Sequence, residues 1–282
     1  MNSLKTAILL GALTGALVLF GRLLGGTSGM MLALIVAAAM NFFAYWFSDK
    51  VVIALHRAKP VTREQAPVLY TIMEGLTARS GVPMPKLYVV EADAPNAFAT
   101  GRNPHHAAVA VTTGILCLLD RNELEGVLAH ELSHVRNRDI LISSVAATLA
   151  GAITMLADMV RWGAIFGGFG GRDNDREGAG NLLGLLAMAF LAPLAAVVIQ
   201  LAVSRSREFQ ADASGAEMAG NPYGLASALQ KLEDYGRRVP PLNVSPSMNH
   251  LYISNPLSGR SLMALFSTHP PAKERIRRLL GR

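Results

Sequence analysis

The sequence predicts an α-helical integral membrane protein with a mainly helical, α+β domain outside the bilayer. Three observations lead to this fold class. Hydrophobic residues make up 51% of the 282 residues and charged residues only 16%, and the mean hydropathy is +0.32, which is unusual for a soluble enzyme. The apolar residues lie in four long blocks. The polar segments between and after these blocks carry helix and strand patterns.

The four apolar blocks are candidate transmembrane helices. Each has roughly 20 residues, which at about 1.5 Å per residue is enough to cross a hydrocarbon core of about 30 Å. The third block contains Asp158 and Arg161, and the fourth contains Pro193 and Gln200, so a buried hairpin inside a soluble domain is the alternative for this pair. The blocks are 4–24, 29–47, 140–162 and 182–203.

These blocks divide the chain into four parts. The N-terminal part is predicted to be an uncleaved hairpin rather than a signal peptide, because its first apolar run is too long and a second follows within a few residues. The predicted parts are a transmembrane hairpin (1–48), the first part of a polar domain (49–139), a second hairpin with a glycine-rich loop at 163–180 (140–203), and the second part of the polar domain (204–282).

The charged and reactive residues narrow the function classes. The net charge of +6 does not indicate nucleic-acid binding, because the basic residues lie beside the apolar blocks rather than in a reader motif. With a cytoplasmic N-terminus, about nine of them lie inside and about four outside, in line with the positive-inside rule. The single cysteine, Cys117, fits a reducing compartment and is predicted to be a small buried side chain. No GxxxxGK stretch is present, so ATP use is not expected.

The polar parts contain further predicted elements. An amphipathic helix is predicted at 62–82, and two short strands at 85–92 and 106–114 flank a turn with Pro, Asn and Gly at 94–104. Asp120 followed by Glu123 predicts a capped helix that carries HELSH. Later helices are predicted at 204–220, at 222–235 and from about residue 269.

The HELSH stretch, residues 130–134, has the spacing of a metal site. Residues four apart lie on one face of a helix, so His130 and His134 can direct imidazole nitrogens at one ion, with Glu131 beside them. This arrangement suits Zn²⁺. The alternative is an ordinary helix that happens to carry two histidines.

A catalytic zinc usually takes a third protein ligand. Glu208 is favoured because it lies on the next polar helix, and Asp212, four residues later on the same face, would accept the outer N–H of a ligand histidine. The alternative for this stretch is an exposed charged helix. If the third and fourth blocks cross the membrane, Glu208 returns to the compartment of His130, close to the membrane surface. The other candidate ligands are Asp212, Glu217, His250 and His269.

Two further features relate to substrate. His269, between a threonine and two prolines, is a candidate donor to the negative charge that develops on a tetrahedral intermediate; the alternative is a histidine at a helix start with no catalytic part. The segments NAFATG and AAVAVTT carry small side chains that would let a peptide pair with a strand edge. Their alternative is plain sheet structure.

Four motifs in this order, NAFATG, HELSH, SRSREFQADASG and THPPAKERI, resemble the HtpX-type heat-shock membrane proteases, relatives of the CAAX prenyl proteases. The resemblance covers nearly the whole chain. It implies a gluzincin-like endopeptidase with one Zn²⁺ per chain, in the inner membrane as a multi-pass protein with its protease domain facing the cytoplasm. The site residues that it implies are His130, His134 and Glu208 as zinc ligands, Glu131 as catalytic base, Asn96 and Ala97 at the substrate-binding edge, and His269 near the oxyanion.

The resemblance also implies a role in quality control, with misfolded or unfolded membrane proteins as substrates and the lipid bilayer as surroundings. A catalytically silent scaffold or chaperone is one alternative, but it would have no need of Glu131. A specialised processing protease for lipidated peptides is another; four candidate spans are too few for the large intramembrane chamber of the prenyl protease relatives. The sequence makes no prediction about oligomeric state.

Overall fold

The structure is a computed structural model that describes residues 2–165, 204–238 and 270–281. Within these ranges the chain is mostly helical with one four-stranded sheet. The fourth predicted span, at 182–203, and residues 166–180 of the predicted glycine-rich loop lie outside the described residues.

The N-terminal residues form a helical hairpin. Helix α1, Asn2–Leu55, is broken at Gly25 and Gly26 into two arms, and Gly26 has a φ of 59°, which glycine adopts without steric cost. The arms are antiparallel, because Asn41 Nδ2 on the second arm donates to Thr14 Oγ1 on the first at 2.8 Å. The break therefore falls between the two predicted blocks.

Two segments among the described residues are long and apolar enough to cross a membrane, Thr6–Leu23 and Gly25–Leu55. They correspond to the first two predicted blocks. The third block forms helix α5, Ile140–Ile165, which includes the apolar stretch Ile140–Ala150. Helix α5 packs on the hairpin. This apolar contact consists of Leu13 and Ala44 against Ile142, Val145, Ala146, Leu149 and Ile153.

Four strands form the sheet, in the order β1, β2, β4, β3. Strands β2 and β4 are parallel, and the two outer pairs are antiparallel. The segment predicted as a turn contains strand β3, because Ala97 to Gly101 pair with β4. The strands are β1 (Lys59–Pro60), β2 (Lys86–Val90), β3 (Ala97–Gly101) and β4 (Ala107–Thr112), with a 3₁₀ turn at Pro104–His106.

The sheet lies between two helical layers. One face, with Ala97, Ala99 and Val109, belongs to the main core that includes helix α2 (Pro67–Ser80). The opposite face, with Phe98 and Ala110, contacts Val52 of α1 and Ala147 of α5. Because side chains alternate across a strand, β3 contacts both the polar helices and the apolar ones.

Helix α4, Arg121–Arg136, carries HELSH. The predicted cap is confirmed, since Asp120 Oδ1 accepts from the Glu123 N–H at 3.0 Å and Glu123 Oε2 accepts from the Asp120 N–H at 2.9 Å. Helix α4 packs against the first two helices described after α5. The remaining helices are α3 (Thr113–Leu118), α6 (Arg205–Ala219), α7 (Pro222–Arg238) and α8 (Ala272–Leu279).

The prediction for Cys117 is wrong, because its side chain is exposed. Helix α3 is only six residues long and buries Ile115. Leu116 and Cys117 follow on the outer side of the helix and are both exposed. An apolar run in a short surface helix therefore does not imply that every residue in it is buried.

Candidate metal centre

Helices α4 and α6 bring three potential metal ligands together. His130 Nε2 and His134 Nε2 are 3.3 Å apart on adjacent turns of α4. Glu208 on α6 places Oε2 at 3.6 Å from His130 Nε2 and Oε1 at 3.6 Å from His134 Nε2. One ligand atom from each residue lies within 4.8 Å of the others, so the three side chains converge on one point.

The spacing of these atoms fits a tetrahedral ion. Two nitrogens bound to zinc at about 2.0–2.1 Å in tetrahedral geometry lie about 3.3 Å apart. The two Nε2 atoms already have this separation. Two imidazoles and one carboxylate are the donor set of a catalytic zinc site that keeps its fourth position for water. The residues present therefore fit zinc.

Close packing of α6 on α4 places Glu208 beside His130 and His134. Glu208, Asp212 and Gly215 are spaced by four and three residues, so they share the face of α6 that contacts α4. A Cβ on Gly215 would lie 2.9 Å from the His130 backbone nitrogen, closer than packed atoms tolerate. The absence of this side chain lets the two helices approach at the ligand histidine.

Asp212 contacts the second ring nitrogen of His130, Nδ1. Asp212 Oδ1 lies 2.9 Å from His130 Nδ1, which leaves Nε2 for the ion. Burial raises the pKa of Asp212, but the charge of Arg275 and its hydrogen bonds outweigh this effect and keep that pKa well below its usual range. The carboxylate is therefore ionised at neutral pH.

The pKa of His130 is raised above its ordinary value. Burial and the nearby Arg275 charge lower this pKa, but hydrogen bonds to Asp212 and Glu208 outweigh them and raise it to about 9. A metal needs the neutral imidazole. Metal binding at this imidazole therefore competes with protonation.

A second carboxylate lies beside the outer nitrogen of His134, Nδ1. Asp139, which is buried, places Oδ2 at 3.3 Å from His134 Nδ1. Arg207 is also buried; burial lowers the pKa of its guanidinium, and Asp139 and Glu208 oppose this shift. Each ligand histidine thus has an aspartate on its outer nitrogen and an arginine near that aspartate.

The charges of the centre favour a divalent cation. Four carboxylates and two guanidinium groups lie in or beside it, which, with both histidines neutral as a metal requires, leaves two negative charges that a divalent cation would balance. The carboxylates are those of Glu131, Asp139, Glu208 and Asp212, and the guanidinium groups are those of Arg207 and Arg275.

Glu131 joins the ligand helix to the sheet. Its Oε2 accepts a hydrogen bond from the Ala99 N–H of β3 at 2.9 Å. Beyond Ala99, the Gly101 N–H donates to Ser144 Oγ of α5 at 3.2 Å. The carboxylate therefore lies between the ligand histidines and the outer edge of β3.

Asn96 and Ala97 lie at the start of β3 and are both buried. The Asn96 N–H donates to Thr112 Oγ1 at 2.8 Å, and the Asn96 carbonyl accepts from the Thr112 N–H at 2.9 Å. These bonds attach the beginning of β3 to β4. The two residues therefore lie beside the edge that contacts Glu131, but their side chains point into packed surroundings.

The other candidates fall elsewhere. Glu217 is exposed near the end of α6, away from the ligands. His250 and His269 lie outside the described residues. Sequence reasoning missed Asp139, Arg207 and Arg275. The available signals were an aspartate three residues after the end of the HELSH helix, an arginine directly before Glu208, and a basic residue within the THPPAKERI motif.

Known proteins are similar in sequence to this chain. The profile of peptidase family M48 matches residues 63–282. A protease HtpX homolog of Desulfatibacillum aliphaticivorans is 57% identical over 280 residues, covering 99% of this chain and 89% of the relative. A protease HtpX homolog of Pelotomaculum thermopropionicum is 54% identical over 279 residues, covering 99% of this chain and 98% of the relative.

A solved structure, S. mikatae Ste24p, is 21% identical, with a TM-score of 0.48. The match covers 98% of this chain and 63% of that one. This chain therefore spans less than two thirds of the length of Ste24p.

Proposed function

The chain belongs to peptidase family M48 and is a membrane-bound metalloprotease, and we propose that its metal is a single zinc ion bound by His130, His134 and Glu208. The observation that carries this proposal is the convergence of the three side chains, with two Nε2 atoms 3.3 Å apart. Zinc is the ion for which two imidazoles, one carboxylate and an open fourth position are typical.

Glu131 is the proposed general base. When bound, zinc supplies Lewis acidity that lowers the pKa of water to about 7 and polarises a peptide carbonyl. Because the Ala99 N–H holds Glu131 Oε2, the other carboxylate oxygen is the one that takes the proton of the attacking water. The same carboxylate then passes this proton to the leaving amine.

The substrate is proposed to bind as an extended peptide along the outer edge of β3. Strand β3 is an edge strand of the described sheet, and its outward Ala99 and Gly101 N–H groups already donate to Glu131 and Ser144. A paired peptide would therefore donate to the outward carbonyls of β3. Ala97 would contribute through its backbone, since its side chain is buried, and Asn96 would fix the start of the strand, because its N–H and carbonyl are bonded to Thr112. Backbone pairing tolerates many side chains, which suits a protease of broad specificity.

His269 remains a proposed donor to the negative charge that develops on the scissile carbonyl oxygen. Its support is position. It directly precedes Pro270, which is buried, and α8 begins at Ala272 and carries Arg275, which contacts His130. His269 therefore lies three residues before a helix that contacts His130.

Contacts of β3 with the apolar helices support a site near the membrane surface. Thr100 Oγ1 forms a hydrogen bond of 2.7 Å with Ser144 Oγ on α5. The guanidinium of Arg102, directly after β3, lies over the ring of Trp46 on α1 at 4.8 Å. The proposed substrates are therefore unfolded or misfolded membrane proteins, whose exposed loops would reach this edge.

This substrate class can be tested with purified full-length protein in detergent. One membrane protein is offered in its folded form and, at the same concentration, after unfolding. We expect the unfolded form to be cleaved at least about tenfold faster, because only a flexible segment can adopt the extended conformation that strand pairing requires. Equal rates for both forms, or cleavage of the folded form alone, would contradict the proposal. The Glu131→Gln variant shows the background cleavage.

The proposed location is the inner membrane, with multiple passes and the protease domain in the cytoplasm. The exposed Cys117, the one cysteine of the chain, is a natural reporter of this orientation. We expect a membrane-impermeant maleimide to label it only after spheroplasts are permeabilised.

A matched control places the cysteine at the other end of the hairpin. In the double variant Ser28→Cys, Cys117→Ser, the thiol lies next to the break at Gly25 and Gly26, where the side chains are exposed. This thiol should react in intact spheroplasts. Labelling of Cys117 without permeabilisation, with Ser28→Cys protected, would show the opposite orientation.

A further inference from the structure

We propose that Arg275 is a positioning residue of the metal centre, acting on His130 through Asp212, so that helix α8 is part of the centre. The proposal rests on the zinc site proposed above. It concerns a residue that binds no metal and that the mechanism does not otherwise use.

Arg275 is buried to an unusual degree for an arginine. Its exposed fraction is 1%, although it lies on an eight-residue helix near the C-terminal end of the chain. A guanidinium is almost never fully buried unless it is paired. The partner of Arg275 therefore explains why this side chain can be buried.

The partner of Arg275 is Asp212, in a two-point contact. Arg275 Nε donates to Asp212 Oδ2 at 2.9 Å, and Nη2 donates to Oδ1 at 2.6 Å. Both carboxylate oxygens are held by the planar guanidinium, which fixes the rotation of the carboxylate. A lysine ammonium could balance the charge of Asp212 but could not hold both oxygens in this way.

Asp212 passes this constraint to the ligand histidine. Its Oδ1, held by Arg275, lies 2.9 Å from His130 Nδ1. Arg275 Nη2 also lies 3.4 Å from both ring nitrogens of His130, so the guanidinium packs directly against the imidazole. The pair sets the tautomer and the tilt of the ring, and thus the direction of Nε2.

Helix α8 is held against α6 at more than this one point. Arg278 lies over the ring of Phe209, the residue after Glu208, at 3.7 Å. Ala272, Ile276 and Leu279 pack against the main core. Because an isolated helix of this length is not stable in water, α8 depends on these contacts, and the orientation of His130 depends on α8 in turn.

The test measures zinc affinity directly, on full-length protein in detergent, by competition with a chromogenic chelator. We expect Arg275→Gln to weaken zinc binding by about 10- to 100-fold, the usual effect of removing an outer partner of a ligand. Arg275→Lys should fall between that variant and the wild type. Arg277→Gln, an exposed arginine on the same helix, is the matched control and should bind zinc as the wild type does.

Two further measurements separate positioning from a purely structural ion pair. The Co²⁺-substituted protein should show a changed d–d absorption spectrum in Arg275→Gln, because the ligand geometry changes. The double variant Asp212→Asn, Arg275→Gln should bind zinc no more weakly than the weaker single variant, because the two residues act in series. Additive losses would overturn action through Asp212.

Wild-type zinc affinity and an unchanged cobalt spectrum in Arg275→Gln would overturn the whole proposal, even if thermal unfolding occurs at a lower temperature. If Arg275→Gln does not fold, Arg275→Lys decides by the same two measurements. No substrate is used in either experiment. A failure to find proteolysis would therefore count against the proposed function and leave this result standing.

Discussion

Replacement of Glu208 with Ala is expected to leave the purified protein without bound zinc and without cleavage activity. Glu208 is the proposed ligand on α6, and two histidines alone do not complete a catalytic zinc site. Elemental analysis after dialysis against zinc-buffered solution should find less than about 0.1 zinc per chain, against about one in the wild type. His130→Ala should give the same result.

The control for this prediction lies on the same helix. Glu217→Ala removes an exposed carboxylate nine residues further along α6 and should leave zinc content and activity unchanged. If Glu208→Ala retained wild-type zinc, the third ligand would have to be another residue, and the geometry of α4 and α6 would have been interpreted wrongly.

Glu131→Gln is expected to differ from Glu208→Ala in its metal content: zinc is retained, although cleavage is nearly lost. The amide keeps the size of the side chain and can still accept from the Ala99 N–H, but it cannot take a proton from water. The catalytic rate at saturating substrate should fall by about 10²- to 10⁴-fold. The measurement is a kinetic assay on preparations with equal zinc content.

Glu125→Gln, a substitution on the same helix at a carboxylate that pairs with Arg79, is the matched control and should keep its activity. Wild-type cleavage by Glu131→Gln would exclude this residue as the base and leave the zinc site itself intact.

The features that the sequence predicted well are those that depend on neighbouring residues. The Asp120 and Glu123 cap, the helix that it begins, and the common face of His130 and His134 follow from spacings of three and four residues. The two N-terminal apolar helices follow from local hydropathy. Such patterns are readable because the interacting groups are close in the chain.

The features that were missed depend on contacts between distant segments. Strand β3 lies in a segment rich in turn-forming residues, and its pairing with β4 outweighs that local preference. Arg275 is 63 residues from Asp212 and 145 from His130, so no spacing rule connects them. Cys117 was misjudged because hydropathy does not tell which side of a short helix faces the core.

Glu208 is an intermediate case. Its helix was predicted from local pattern, and the choice of this residue used the order of elements along the chain. The structure places it with the two histidines because Gly215 lets α6 approach α4. A glycine seven residues after the glutamate, on the same helix face, is a sequence signal that would have strengthened the choice.

The central claim is that one zinc, held between α4 and α6, is responsible for cleavage. The most direct test titrates zinc into metal-free full-length protein in detergent and measures bound zinc and the cleavage rate of an unfolded membrane protein on the same samples. We expect no cleavage without zinc and a rate proportional to occupancy up to one zinc per chain. Cleavage that persists in zinc-free protein, or that rises only as a second zinc binds, would contradict the account.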